Sequence, residues 1–348
     1  MSPAARRDHQ RSDVIFQKVA ESAHTRDRWG VLLLAHGAPE RVEDVPAFLL
    51  NLRSGRPLPP EAVEEIKRRY RLVSEREGGR PGEASPLTWL TARQAEALHE
   101  QLRRPVYVGM RNWKPYIAEA VAQAATDGIE RLIAVCLAPQ NSRTSVGLYR
   151  KALDEACVKL APGMSVDFIE SWHDHPGLIA AYAARLETAI GNTDVEAVAR
   201  REIFSEHHAP VIFTAHSVPE STIRSGDPYE QQVRETARLV SECLRLSSAR
   251  WSVAFQSQGM TREPWIGPTV ESEIDRLGAA GHRHIMVAPI GFVCDHVEIL
   301  YDIDVAFRDY AAIRGMTISR PESLNDSPLF IEALAALVSC RVRLNRET

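Results

Sequence analysis

Two short segments carry residue types that bind cations and move protons. His216 closes the apolar run Val211-Ile212-Phe213-Thr214-Ala215, at the place where a strand is expected to end. An imidazole there supplies a nitrogen ligand and a proton acceptor that works near neutral pH. The second segment is Pro289-Ile290-Gly291-Phe292-Val293-Cys294-Asp295-His296-Val297-Glu298, which reads as a buried strand, a glycine loop and a helix start near Asp295. Asp302 follows Glu298 by four residues, so on a helix the two carboxylates share one face. Like charges with no cation between them repel, and a strip leading cations toward His216 accounts for the pair. A competing reading makes Asp295 and Glu298 a capping box, in which Glu298 satisfies backbone donors and nothing more.

Other motifs have local explanations. Gly226-Asp227-Pro228-Tyr229 reads as a helix start, with Asp227 as N-cap and Pro228 at the first helical position. His173-Asp174-His175 resembles a metal clip but precedes Pro176-Gly177, so an exposed turn is expected. Arg53-Ser54-Gly55-Arg56 is a compact basic loop, either a solvated turn or a site for carboxylates. Neither GxGxxG nor a phosphate loop occurs, which leaves nucleotide use without support.

These residues need elements to hold them. Short aliphatic runs at 31–34, 106–109, 132–137 and 166–169 are expected strands, answered by 211–213, 252–255, 285–288 and 316–319. Helical patterns lie between them, for example at 92–102, 117–125 and 233–246. The alternation predicts an α/β fold with parallel sheets flanked by helices. The halves also echo one another. Ala35-His36-Gly37-Ala38-Pro39-Glu40 follows the first strand and Ala215-His216-Ser217-Val218-Pro219-Glu220 ends the fifth. Gly128 before Leu132-Ile133 matches Gly281 before Ile285-Met286. The expectation is a duplicated, Rossmann-like unit with two similar lobes, 29–172 and 173–320, a tail over 1–28 and a C-terminal helix over 321–348. Ligands of open parallel sheets bind beyond the carboxyl ends of the strands. If the lobes face each other, His36 and His216 look into one cleft.

Bulk composition is that of an ordinary globular protein: 348 residues, 44% hydrophobic, 25% charged, net charge −4. Two domains fit the length. The charge gives no reason to expect a nucleic-acid partner. Five of the 42 basic residues are lysine, and arginine forks suit carboxylates. The nearest two of the five cysteines stand 21 residues apart, so neither a CxxC site nor a disulfide framework is expected. No apolar run approaches the roughly 20 residues that span a bilayer. Asp8, Asp13, Glu21 and Asp27 argue against a transit peptide in a mobile, Arg-rich tail. A reducing, cytoplasmic location is expected.

Taken together, the motifs resemble the ferrochelatases. The resemblance rests on His216 and its neighbours, Gly226 to Tyr229, Phe255-Gln256-Ser257, Pro264-Trp265 and the segment from Pro289 to Asp302. In the first half it rests on Ser85-Pro86-Leu87, Gly109-Met110-Arg111 with Trp113 and Pro115, and Leu137-Ala138-Pro139 running to Ser142. It covers roughly residues 30–340. It implies a chelatase-type fold with a porphyrin cleft between the lobes and an inner metal site at His216 and Glu298, with Asp302 as an outer, weaker group. Porphyrin contacts are implied at Arg53, Arg69, Tyr70, Ser85 and Tyr149. His36 stands where some relatives place a tyrosine on the opposite side of the macrocycle. Imidazole and carboxylate both suit ferrous iron. Iron insertion must also remove two pyrrole protons, for which His216 is a suitable acceptor.

Three departures from the family pattern stand out. The usual Gly-Gly-x-Ser-Pro junction is stretched to Gly78-Gly79-Arg80-Pro81-Gly82-Glu83-Ala84-Ser85-Pro86. A third carboxylate beyond Asp302 is replaced by Ala306, and only Cys340 remains of the C-terminal cysteines that hold an iron–sulfur cluster in some members. The expected partners are therefore ferrous iron, as a substrate, and a porphyrin bearing propionates. No permanently bound cofactor and no cluster are expected. The leading expectation is insertion of Fe2+ into coproporphyrin III in haem biosynthesis, which residues 137–149 favour. Met110-Arg111-Asn112-Trp113 looks more like the protoporphyrin IX branch, the main alternative. A sirohydrochlorin-type chelatase and a non-enzymatic haem carrier rank below both.

Overall fold

The computed structural model describes residues 28–76, 83–193, 209–259 and 263–347. The expected tail, apart from its final residue, and most of the stretched 78–84 junction lie outside the described residues. Strands β1 (Trp29–Ala35), β2 (Val106–Met110), β3 (Arg131–Cys136) and β4 (Ser165–Ile169) form one sheet. A second sheet contains β5 (Val211–His216), β6 (Trp251–Gln256), β7 (His284–Pro289) and β8 (Thr317–Ser319). Neighbouring strands are parallel throughout. Their orders, β2-β1-β3-β4 and β6-β5-β7-β8, are one topology used twice.

The unbroken apolar character of the central strands follows from burial on both faces. Along β1, Val31, Leu33 and Ala35 enter a core shared by the two lobes, while Leu32 and Leu34 face an outer cluster. β5 repeats the alternation: Val211, Phe213 and Ala215 point to the shared core and Ile212 to its own outer cluster. Each strand thus delivers a histidine immediately after an alanine of the shared core, His36 after Ala35 and His216 after Ala215.

The helices of the first lobe are α1 (Val45–Leu52), α2 (Pro60–Glu75), α3 (Leu87–Leu102), α4 (Ile117–Thr126) and α5 (Val146–Leu160). Helix α6 (Pro176–Thr193) follows β4, and α7 (Glu220–Arg224), α8 (Tyr229–Cys243) and α9 (Val270–Ala279) belong to the second lobe. A broken helical segment then runs through α10 (Val297–Leu300), a π-helical turn (Asp302–Phe307) and α11 (Arg308–Ala312). Helix α12 (Pro328–Glu347) begins only after an irregular stretch over 320–327, and it packs on both α6 and α3. The 92–102 pattern captures the later part of α3, which begins at Leu87.

Two local expectations change. His173 is only 16% exposed at its side chain, its Nδ1 bonded to Ser171 Oγ at 2.8 Å, and His175 Nδ1 accepts the Gly177 N–H at 3.2 Å. This turn is therefore folded back on itself and half-buried, because the ring nitrogens find local partners. Helix α8 starts at Tyr229, one residue later than expected, so Pro228 rather than Asp227 is its N-cap, and Asp227 instead ties the helix start to the other lobe. One carboxylate oxygen takes the Tyr229 N–H at 3.1 Å; the other takes Ser142 Oγ at 3.2 Å and the Arg143 N–H at 2.8 Å, from the opposite lobe.

More bonds join the lobes. Gln140 donates to Ile290 O and Thr236 Oγ1, both at 3.1 Å, and within the second lobe Tyr182 donates to the same Ile290 O at 2.9 Å. Because the Asp227 side chain is fully covered, removing it strands several donors at once. Asp227→Ala should lower stability by about 3 kcal/mol, whereas Arg143→Ala, which removes an exposed partner, should cost under about 1 kcal/mol. Denaturant titration of both variants checks this, and equal losses would contradict the lobe-joining role of Asp227.

Candidate active site

The carboxyl ends of the central strands from both sheets open into one cavity of about 490 Å³. Its walls include His36 beyond β1, Leu137 and Ala138 beyond β3, Tyr149 on α5, His216 on β5 and Phe292 beyond β7. This is the place that open parallel sheets reserve for ligands, and it brings together the two histidines that the internal echo singled out.

Each histidine is held in the same way. His36 Nδ1 lies 2.9 Å from the carbonyl of Gly37, and His216 Nδ1 lies 2.5 Å from the carbonyl of Ser217. A carbonyl oxygen only accepts, so in each ring Nδ1 carries the hydrogen and Nε2 of the neutral ring keeps its lone pair. For His36, burial pushes the pKa down to about 4 against the opposing pull of Glu298, so the ring is neutral at physiological pH. Gly37 adopts φ +82°, and a Cβ there would meet the Trp113 backbone nitrogen at 2.8 Å. The first histidine therefore depends on a glycine beside it.

Glu298 approaches from α10. Its Oε2 lies 3.8 Å from His216 Nε2 and 3.7 Å from His296 Nε2. Both separations exceed hydrogen-bond length. Burial alone would raise the carboxyl pKa, but the imidazoles of His216, His296 and His36 outweigh it and hold the value at about 2. Glu298 is consequently an anion facing imidazole nitrogens, an arrangement completed by a proton or a metal cation. Among the described residues there is no group of three or more His, Cys, Asp or Glu side chains arranged to hold a metal ion. What His216 and Glu298 offer is an open pair of donors.

Backbone contacts fix the pair. The loop after β7 passes so close to β5 that a Cβ on Gly291 would stand 2.6 Å from the Ala215 Cβ. Gln256, at the end of β6, accepts from Thr214 Oγ1 at 3.0 Å and donates to the Glu298 carbonyl at 2.6 Å. A buried chain thus links the strand of His216 to the backbone of Glu298. On the other side of the histidine, Tyr229 donates to the His216 carbonyl at 2.9 Å.

The capping-box reading fails. The residue before α10 is His296, which makes no side-chain cap, and Asp295 turns instead to Ser323 Oγ at 2.7 Å and Asn325 Nδ2 at 2.9 Å. Asp302 is not on a continuing α-helical face either. The helix breaks after Leu300, and the Ala306 N–H reaches Tyr301 O at 2.9 Å, a π-type bond. Asp302 accepts from Ser257 Oγ at 2.5 Å, with Ser257 in the left-handed region at φ +59°. Burial first, then the neighbouring Glu298, raises the Asp302 pKa to about 6, against the lowering effects of Ser257 and Arg69. The two carboxylates therefore feel each other across the break.

The remaining expected residues divide. Tyr149 lines the cavity, with the Arg111 guanidinium 5.5 Å from its ring centre. Tyr70 lies buried beneath α1 with Val45, Phe48 and Leu49; burial and then Glu298 raise its pKa. Ser85 is also buried, where its Oγ accepts from the Leu87 N–H at 3.4 Å at the start of α3. Arg69 pairs with Glu65 at 3.0 Å and sits 4.9 Å from the Tyr301 ring centre. Arg53 is exposed, and among the described residues its side chain donates only to the Arg56 carbonyl, at 3.2 Å. None of these last four forms the cavity wall.

Sequence reasoning passed over three wall residues. Arg111 leaves its Nε without a protein partner; Trp265 stands 6.5 Å from His216 between ring centres; His296 faces Glu298. All three lie inside motifs quoted for the resemblance, and the available signal was their polarity or aromaticity next to strand ends.

Comparison with known proteins agrees with this geometry. The family model described as Ferrochelatase matches residues 28–342. A ferrochelatase from Acidobacterium capsulatum is 47% identical over 325 residues, covering 89% of this chain and 94% of its own. A coproporphyrin III ferrochelatase from Geobacillus kaustophilus is 34% identical, covering 89% of this chain and 94% of its own. Among solved structures, SirB from Bacillus subtilis with Fe3+ superimposes with a TM-score of 0.58 at 10% identity, over 90% of this chain and 95% of that one, a likeness of fold alone. With the matched family spanning nearly all of the chain around this cavity, the protein belongs to the ferrochelatases, enzymes that insert metal into a porphyrin.

Proposed function

We propose that the enzyme inserts Fe2+ into coproporphyrin III, with His216 and Glu298 on one face of the macrocycle and His36 on the other. The observation that carries this reading is the matched pair of histidines, each with Nδ1 fixed to the next residue's carbonyl and Nε2 left for the cavity. Among the described residues only the His216 side has an ionised carboxylate within 4 Å, so iron enters from that side. His216 accepts pyrrole protons as the metal replaces them, and the Glu298 charge favours both the arriving cation and the protonated imidazole. Iron is a substrate in this scheme; no resident cofactor or cluster is invoked.

The choice of porphyrin rests on charge. Arg53 and Arg56 bond to each other's backbone carbonyls, and among the described residues neither has a carboxylate partner. Four propionates have more use for them than two. Three further coproporphyrin III ferrochelatases resemble the chain at 33% identity, which supports the same choice. No described helix is long and apolar enough to cross a membrane.

Three experiments test the scheme. His216→Ala should reduce iron insertion by about 100-fold or more while porphyrin binding persists, and Glu298→Gln should slow insertion far more than Asp302→Asn. Anaerobic metallation kinetics beside porphyrin titration check both, and a well-folded His216→Ala with normal turnover would remove His216 from the mechanism. Arg53→Ala and Arg69→Ala should weaken coproporphyrin by up to about tenfold each, as expected for partly exposed charge-assisted bonds, and protoporphyrin IX less. Equal losses measured by titration would make the arginines structural and reopen the protoporphyrin reading. Finally, the ferric product complex should carry His36 as an axial ligand. Its absorption and paramagnetic resonance spectra should lose the imidazole signature in His36→Ala and become phenolate-like in His36→Tyr. Spectra indifferent to residue 36 would take it out of the site.

A further inference from the structure

The segment that carries Glu298 and Asp302 has little means of holding itself. Helix α10 is four residues long, its N-terminus lacks a side-chain cap, and a π-helical turn follows at once. Such a segment is too short to be stable on its own. Outside the cavity, one side chain grips it both before and after the two carboxylates. Arg320, directly after β8, directs Nε and Nη2 onto the two oxygens of Asp304 at 2.9 and 2.8 Å. Its Nη1 lies 3.4 Å from Asp295 Oδ1 and donates to Pro321 O at 3.0 Å. Asp295 precedes Glu298 by three residues, and Asp304 follows Asp302 by two. The group is well covered, with side-chain exposures of 11% for Arg320, 15% for Asp295 and 19% for Asp304.

Mere stability does not require this design, since apolar side chains of similar volume often serve a buried site as well or better. What a planar fork adds is geometry: two carboxylates on one rigid group have a fixed separation. Here that separation spans the residues facing His216. Arg320 itself forms no part of the cavity wall.

We propose that Arg320 is a positioning residue for metal entry: by clamping Asp295 and Asp304 it sets the distance of Glu298 from His216. The proposal rests on the assignment of Glu298 to the metal. Arg320 acts through its two aspartates on the carboxylate that meets iron, and the porphyrin side of the cavity is independent of it.

The test uses the full chain with Arg320→Gln, Arg320→Lys, Asp304→Asn and the Arg320→Gln/Asp304→Asn double variant, with Glu298→Gln alongside. KM for Fe2+, KM for porphyrin and the visible ligand-field spectrum during Co2+ titration are measured for each. Arg320→Gln should raise KM for Fe2+ by about 10–100-fold, the range for loss of a group that orients a metal ligand, and weaken Co2+ binding in parallel. KM for porphyrin should not change. Lysine keeps the charge without the fork and should rescue only in part. The double variant should be no worse than the poorer single one, because both changes break the same clamp. Unchanged Fe2+ KM and Co2+ spectra in Arg320→Gln, with both altered in Glu298→Gln, would overturn the positioning role. If Glu298→Gln leaves them unchanged as well, the metal-site assignment fails and the proposal fails with it. If Arg320→Gln does not fold, Asp304→Asn decides, and a normal Fe2+ KM there overturns the proposal equally.

Discussion

Taking a carboxylate out of water costs several kcal/mol unless charge and hydrogen bonds replace its hydration. Glu298 keeps only about a third of its side chain exposed, yet it is held ionised by the imidazoles around it. The nearby architecture follows from that demand. Gly291 lets the loop pass against β5, Gln256 anchors the Glu298 backbone, and Arg320 grips the segment from behind. An anion held this way attracts a cation, and the Nε2 lone pair of His216, 3.8 Å away, is a site for a proton. The opposed flows of metal and hydrogen in porphyrin metallation need both.

Duplication supplied the frame and divergence supplied the polarity. Both lobes place a histidine at the carboxyl end of their first strand, pinned by the following carbonyl, and both use the same strand order. Among the described residues, only the second lobe adds a carboxylate within 4 Å of that histidine. In the first lobe, His36 is instead packed edge-on against Phe48, with ring centres 6.1 Å apart, and its pKa is depressed by burial. One face of the cavity is thus suited to charge and the other to a neutral ligand.

The sequence made the strands and the histidine pair legible because both depend on local patterns, hydrophobic runs and a repeated motif at the same point in each half. It was less informative about how Glu298 is used. Asp295 and Glu298 have capping-box spacing, but Asp295 bonds to Ser323 and Asn325 and pairs with Arg320, all far along the chain. The face shared by Glu298 and Asp302 assumed an unbroken α-helix, and nothing local announces a π-type bond at Ala306. Arg69 illustrates the same limit. Its i, i+4 partner Glu65 is written in the sequence, whereas its position over Tyr301 depends on two lobes meeting.

Helix α12 lies against α3 as well as α6, and the chain just before it is tied to the first lobe. Gln94 donates to the Asn325 carbonyl at 2.7 Å, and Arg93 pairs with Asp326 at 2.5 Å. During synthesis the first lobe emerges early, but this face of it waits until the ribosome has delivered residues beyond 325. A nascent first lobe therefore exposes apolar surface on α3 until α12 has been made, a hazard that chaperones exist to manage. Sequence-distant closure of this kind also slows folding. Either lobe expressed by itself inherits an uncovered face, so the natural folding unit is the pair, although the topology repeats.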